Sequence, residues 1–113
     1  MGQNLERRDG PRQMCSELVR ISFQDPGGQW VSETGVLEDV SPSGLGVSLN
    51  IPVSVGDSVR VLTEGFFGSA KVCHCRFEQY SYSLGLEFSD GYTWDRNDWE
   101  PPHLLAIPVR DTR

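Results

Sequence analysis

The apolar residues of this chain alternate with polar ones in short runs, and nowhere recur every three or four positions long enough to line one face of a helix. That pattern restricts the chain to strands. "SELVRISF" (16–23) sets Val19, Ile21 and Phe23 against Leu18, Arg20 and Ser22. Each run stops at a cluster of turn residues: "DPGGQ" (25–29), "SPSG" (41–44), "PVSVGDS" (52–58) and "TEGFFG" (63–68). Between them lie "WVSETGVLEDV", then "LGVSL" with Leu45, Val47 and Leu49 on one face, then "VRVL" with Val59 and Val61 together. "SAKVCHCRF" and "YSLGLEF" read as a hairpin around "EQYSY". Such strand lengths and turn spacings predict an all-β fold, a small antiparallel barrel or sandwich of about six strands.

A chain of 113 residues makes one domain, large enough to bury a core without staples. Lys and Arg total 10 against 16 Asp and Glu, a net charge of −6. This argues against broad DNA or RNA binding, which uses a basic face, but leaves room for a small anion held by a few arginines. Three cysteines, with no apolar h-region in "MGQNLERRDG", argue against a secreted disulfide framework. "MGQNLE" has Glu6 where a myristoylation site wants Ser or Thr, and no run reaches the length of a membrane span. A soluble, cytoplasmic protein without membrane contact is expected.

Positive charge is nonetheless concentrated at one place, Arg7, Arg8 and Arg12 in "ERRDGPR". Gly10 frees the backbone there and Pro11 discourages a helix, so the arginines read as a bendable arm. About thirty residues and one hairpin later comes Asp39-x-Ser41-x-x-Gly44, in "EDVSPSGLGV". Arg8-x-x-x-Arg12 followed by this second motif resembles the ligand-binding signature of the PilZ domain family, bacterial receptors for cyclic di-GMP. "GDSVRV", "AKV" and "GLEF" resemble the family's later strands, so the likeness covers roughly residues 5–90.

The resemblance implies a six-stranded PilZ-type β-barrel at 13–90, an N-terminal arm at 1–12 and a Trp- and Pro-rich extension at 91–113. It implies a non-enzymatic receptor with no cofactor and no metal, whose ligand is held by Arg7, Arg8, Arg12, Asp39, Ser41 and Gly44. Arginine suits a dianion with two guanines: its fork pairs with phosphate oxygens, matches a guanine O6/N7 edge, and stacks on a purine. A carboxylate such as Asp39 accepts from guanine N1–H and N2–H₂. Ser41 adds a hydroxyl, and Gly44 either takes positive φ or admits the ligand close to the backbone. In the family an arginine directly before the pair tends to accompany two stacked ligands, so Arg7 implies an intercalated dimer. The arm would close on ligand, and an unidentified protein partner would read the changed surface. Oligomeric state and output stay open.

Each motif alone is ordinary: termini fray, and Asp, Ser, Pro and Gly make turns. The conjunction carries the reading. A ligand-independent PilZ adaptor is the alternative, opposed by the intact signature. A single-stranded nucleic-acid barrel is opposed by the acidic balance. "CHC" (73–75) lacks a second ligand pair for zinc. Strand alternation predicts both thiols on one face as small hydrophobes, with His74 beside Val72 and Arg76, where it could stack on a base. No nucleophile elbow supports catalysis by Ser41, His74 or His103. In the extension a helical turn from about Thr93 to Trp99 is expected, stopped by Pro101 and Pro102, with Trp94, Trp99, Leu104 and Leu105 covering one barrel end.

Overall fold

The computed structural model describes residues 12–101. Within them β1 (Gln13–Gln24), β2 (Trp30–Ser41), β3 (Gly44–Leu49), β4 (Ser58–Leu62), β5 (Phe67–Glu78) and β6 (Ser81–Phe88) form one antiparallel sheet. It closes as a barrel in the order β1-β2-β3-β6-β5-β4. The closing seam is short: Arg20 pairs Leu62, Ile21 pairs Val61 and Ser22 pairs Arg60. The alternation read from the sequence is the cause of this shape. Val19, Ile21, Leu37, Val40, Val47, Leu49, Val59, Val61, Val72 and Leu84 are essentially inaccessible and fill the interior. Each such side chain contributes about 1.5–3 kcal/mol on removal from water.

The turns follow their chemistry. In the β1–β2 turn the Asp25 carboxylate accepts from the amides of Gly27 and Gln29, both at 2.9 Å. Gly28 there takes φ 86°, which costs a side-chain-bearing residue more. The β5–β6 turn is only Gln79 and Tyr80, tighter than "EQYSY" suggested. No helix among the described residues is long and apolar enough to cross a membrane.

The register shifts at three places, between Met14 and Glu17 on β1, on β2 and on β5, and the bulges on β2 and β5 set which side chains face out. On β2, Leu37 pairs Val47 and Asp39 pairs Gly46, so Glu38 is the extra residue. Unbroken alternation would turn Leu37 and Asp39 the same way; instead Val40 takes the interior position. On β5, Val72 pairs Leu86 and His74 pairs Gly85, with Cys73 extra. This corrects the alternation expected for "CHC". Val72 faces the core, Cys75 packs against it opposite Leu84, and Cys73 is exposed, so the thiols do not share a face and His74 does not accompany Val72.

The segment after β6 covers one barrel end. Trp94 and Trp99 are buried there, as expected, with Phe66, Phe88 and Tyr92 packed around them at ring separations of 4.9–6.0 Å. The expected helical turn is a single hydrogen-bonded turn, the Asp98 amide donating to the Asp95 carbonyl at 2.8 Å. The Asp95 side chain also captures the Asn97 amide at 3.0 Å, competing with helix propagation. Leu104 and Leu105 lie outside the described residues.

Candidate functional site

The two bulges act on one row of the sheet. Reading across the outer surface, Asp39 of β2 pairs Gly46 of β3, Gly46 pairs Gly85 of β6, and Gly85 pairs His74 of β5. Each bulge turns its polar residue, Asp39 or His74, to the outside at the same level. The two central positions carry no side chain. A Cβ on Gly46 would meet the Asp39 carboxylate at 2.5 Å, and one on Gly85 would collide with the His74 imidazole. The result is a trough backed by two glycines, with the Asp39 carboxylate lying over Gly46 and the His74 ring over Gly85. Glycines within strands commonly mark such close approach to the backbone.

Asp39, Gly85 and His74 line a groove of about 590 Å³, bordered also by Arg12, Ser41, Ser43, Gly44, Cys73 and Glu87, with Gly46 buried behind Asp39. That volume lies within the range of small-molecule sites, about 300–1,000 Å³. The β2–β3 turn forms its end. Ser41 is buried, its hydroxyl donating a long 3.5 Å bond to the Gly44 carbonyl. Two backbone bonds fix the turn: the Phe88 amide donates to the Ser43 carbonyl, and the Trp94 amide to the Pro42 carbonyl, each at 2.9 Å. Gly44 does not take positive φ. A Cβ there would strike the Leu86 carbonyl, so this glycine serves the close passage of β6.

Arg12 reaches Asp39 from the start of β1, Nη1 to Oδ1 at 3.1 Å. Its side chain is 57% exposed and that of Asp39 17%. Burial raises the Asp39 carboxyl above its usual range, and neither the Arg12 guanidinium nor the Gly46 amide cancels the effect. Burial, aided by Glu17, Asp39 and Glu38, lifts the Cys15 thiol to about 12, so it stays protonated and inert.

Of the residues expected to form a site, the fold therefore brings Arg12, Asp39, Ser41 and Gly44 to one groove. Arg7 and Arg8 lie outside the described residues. Sequence reasoning missed Cys73, Gly85 and Glu87. The glycine in "GLEF" was visible, but its meaning appears only once register sets it opposite His74. The groove's own charges, among the described residues, are one guanidinium against the carboxylates of Asp39 and Glu87.

A closed six-stranded barrel with a polar groove beside a strand-end turn is an architecture that can hold a small ligand. Comparison by sequence makes the class specific: the PilZ domain model matches residues 6–95, and the chain belongs to that family of cyclic di-GMP-binding domains. No curated protein matches the chain.

Proposed function

We propose that this protein is a non-enzymatic cyclic di-GMP receptor whose arginine arm closes over ligand bound in the groove. The row Asp39–Gly46–Gly85–His74 is the observation that carries the reading. A base seated in the groove can donate its N–H groups to the Asp39 carboxylate at one side. At the other side the His74 ring offers an aromatic surface. Ser41 supplies a hydroxyl at the turn, and Gly44 keeps β3 and β6 close enough to hold the back of the trough together.

Charge argues for the arm. The described groove holds more negative than positive side chains, and it would repel a dianion without further cations. Arg7 and Arg8, with Arg12, supply three guanidiniums whose forks fit phosphate oxygens and guanine edges. On ligand, Arg12 would exchange the Asp39 carboxylate for phosphate, leaving Asp39 to the base. Arg7 would favour a second, stacked ligand. The ordered arm then presents a new surface to a partner protein, a recognised form of switching.

Calorimetric titration with cyclic di-GMP, cyclic di-AMP and GTP tests the proposal. Binding of cyclic di-GMP alone, at two ligands per chain, is expected. Equal affinity for cyclic di-AMP, or none for cyclic di-GMP, would remove the assignment; one ligand per chain would remove only the role of Arg7.

A further inference from the structure

The segment after β6 touches residues next to both halves of the groove's rim. Its Trp94 amide holds the Pro42 carbonyl, inside the turn that ends the Asp39 motif. Two residues later Arg96 Nη2 donates to Gln13 Oε1 at 2.5 Å, across a sequence separation of 83. Gln13 follows Arg12 directly and opens β1, paired with Val40, while Met14 pairs Asp39. Opposed residues of an antiparallel pair share a face. Gln13 therefore faces the same side as buried Val40, toward the barrel end that the segment covers, while Arg12 reaches Asp39.

We propose that Trp94–Glu100 is a clasp behind the ligand site, tying the β2–β3 turn to the start of β1, and that Arg96 is a positioning residue for Arg12. The clasp has a rigid base: Trp94 Nε1 donates to the Trp99 carbonyl at 3.0 Å, Trp99 Nε1 donates to the Tyr92 hydroxyl at 3.1 Å, and both indoles are buried. Arg96 is oriented from this base, with Glu100 4.0 Å from its Nε. By holding Gln13, it fixes the point from which the arginine arm leaves the barrel. A loosely anchored arm would lose more conformational freedom on closing over ligand. The matched family region ends at residue 95, so Arg96 to Glu100 lie in a part of the chain that the family pattern does not cover, while Trp94 falls within it.

The inference rests on the receptor reading only for its ligand-dependent half, so the test has two arms. In ligand-free protein, ¹H–¹⁵N spectra of wild type, R96A, R96K and Q13A follow the Gln13 amide and the Arg12 Nε–H. Both signals are expected to move in R96A and to return toward wild type in R96K, and the Arg12 Nε–H is expected to move in Q13A; unmoved signals in R96A, or an unmoved Arg12 signal in Q13A, overturn the clasp. In calorimetry with cyclic di-GMP, R96A and Q13A are each expected to weaken binding about fivefold, the worth of one charge-assisted hydrogen bond at a part-exposed site. The double variant should bind no more weakly than either single one, because both remove the same contact. Wild-type affinity in R96A, or losses that multiply in the double variant, overturns the positioning role. If wild type binds no cyclic di-GMP, the receptor reading fails and the ligand-free spectra alone decide the clasp.

Discussion

The two halves of the groove are built to different standards of order. The turn half, Asp39 to Gly44, is held by backbone bonds from Phe88 and Trp94, and Ser41 and Gly44 are buried within it. The arm half is represented by Arg12, more than half exposed and, among the described residues, tied by its ion pair with Asp39. Exposed pairs of this kind contribute about 1 kcal/mol or less. One half is thus formed before any ligand arrives, and the other is held near it by a contact weak enough to exchange. On the proposed reading the contrast separates roles: the turn half would set which base fits, and the arm half would supply charge and movement.

The sharpest break of this contrast is Asp39→Asn. Because burial raises the Asp39 carboxyl, the folded protein binds that proton more tightly than the unfolded chain does. Ionisation of this group therefore lowers stability as pH rises through the carboxylate range, and removing the charge should not lower Tm at pH 7. Binding should nevertheless fall about 100-fold, from losing hydrogen bonds to a charged acceptor. A substantial drop in Tm together with lost binding would make Asp39 structural.

Gly44→Ala should do the reverse, acting first on the fold. The added methyl meets the Leu86 carbonyl, and separating β3 from β6 should cost about 2 kcal/mol, in the range of overpacked cores. Thermal melting checks this; an unchanged Tm would return Gly44 to a ligand-contact role. Arg7→Leu tests the arm half alone. About a tenfold weaker affinity and a change from two ligands to one are expected, at unchanged Tm. His74→Phe keeps an aromatic ring over Gly85 and should cost less than threefold, whereas His74→Ala should cost about 1 kcal/mol of stacking. Equal affinities for the two variants would remove the ring from the site. The smallest effect concerns pH. Binding should weaken on the acid side while ordinary carboxylates are still ionised, as Asp39 takes up its proton, and Asp39→Asn should flatten that part of the profile.

Much of the barrel was legible because its core follows period two: Val19, Ile21, Val47, Leu49, Val59 and Val61 are buried where alternation put them. The bulges were not legible. One extra residue at Glu38 or Cys73 leaves no mark in composition, yet it decides which side chains face out. For Asp39 the motif pointed to a residue that the bulge turns into the groove; for His74 unbroken alternation chose the wrong neighbours. The contacts of the extension were hidden for another reason. Arg96 and Gln13 stand 83 positions apart, and only the closed barrel brings them together.

The strand order has a consequence for how the groove comes into being. β1 and β2 are neighbours in sequence, so Arg12 and Asp39 can meet in the first hairpin to form. Their trough cannot, because its back needs Gly46 beside Gly85, and β6 inserts between β3 and β5. Such distant pairings are the slow events of folding. Hydrogen exchange during refolding should therefore protect the β1–β2 amides early and those of β3 and β6 together and late. A partly folded chain would carry both sequence motifs and still have nowhere to seat a base.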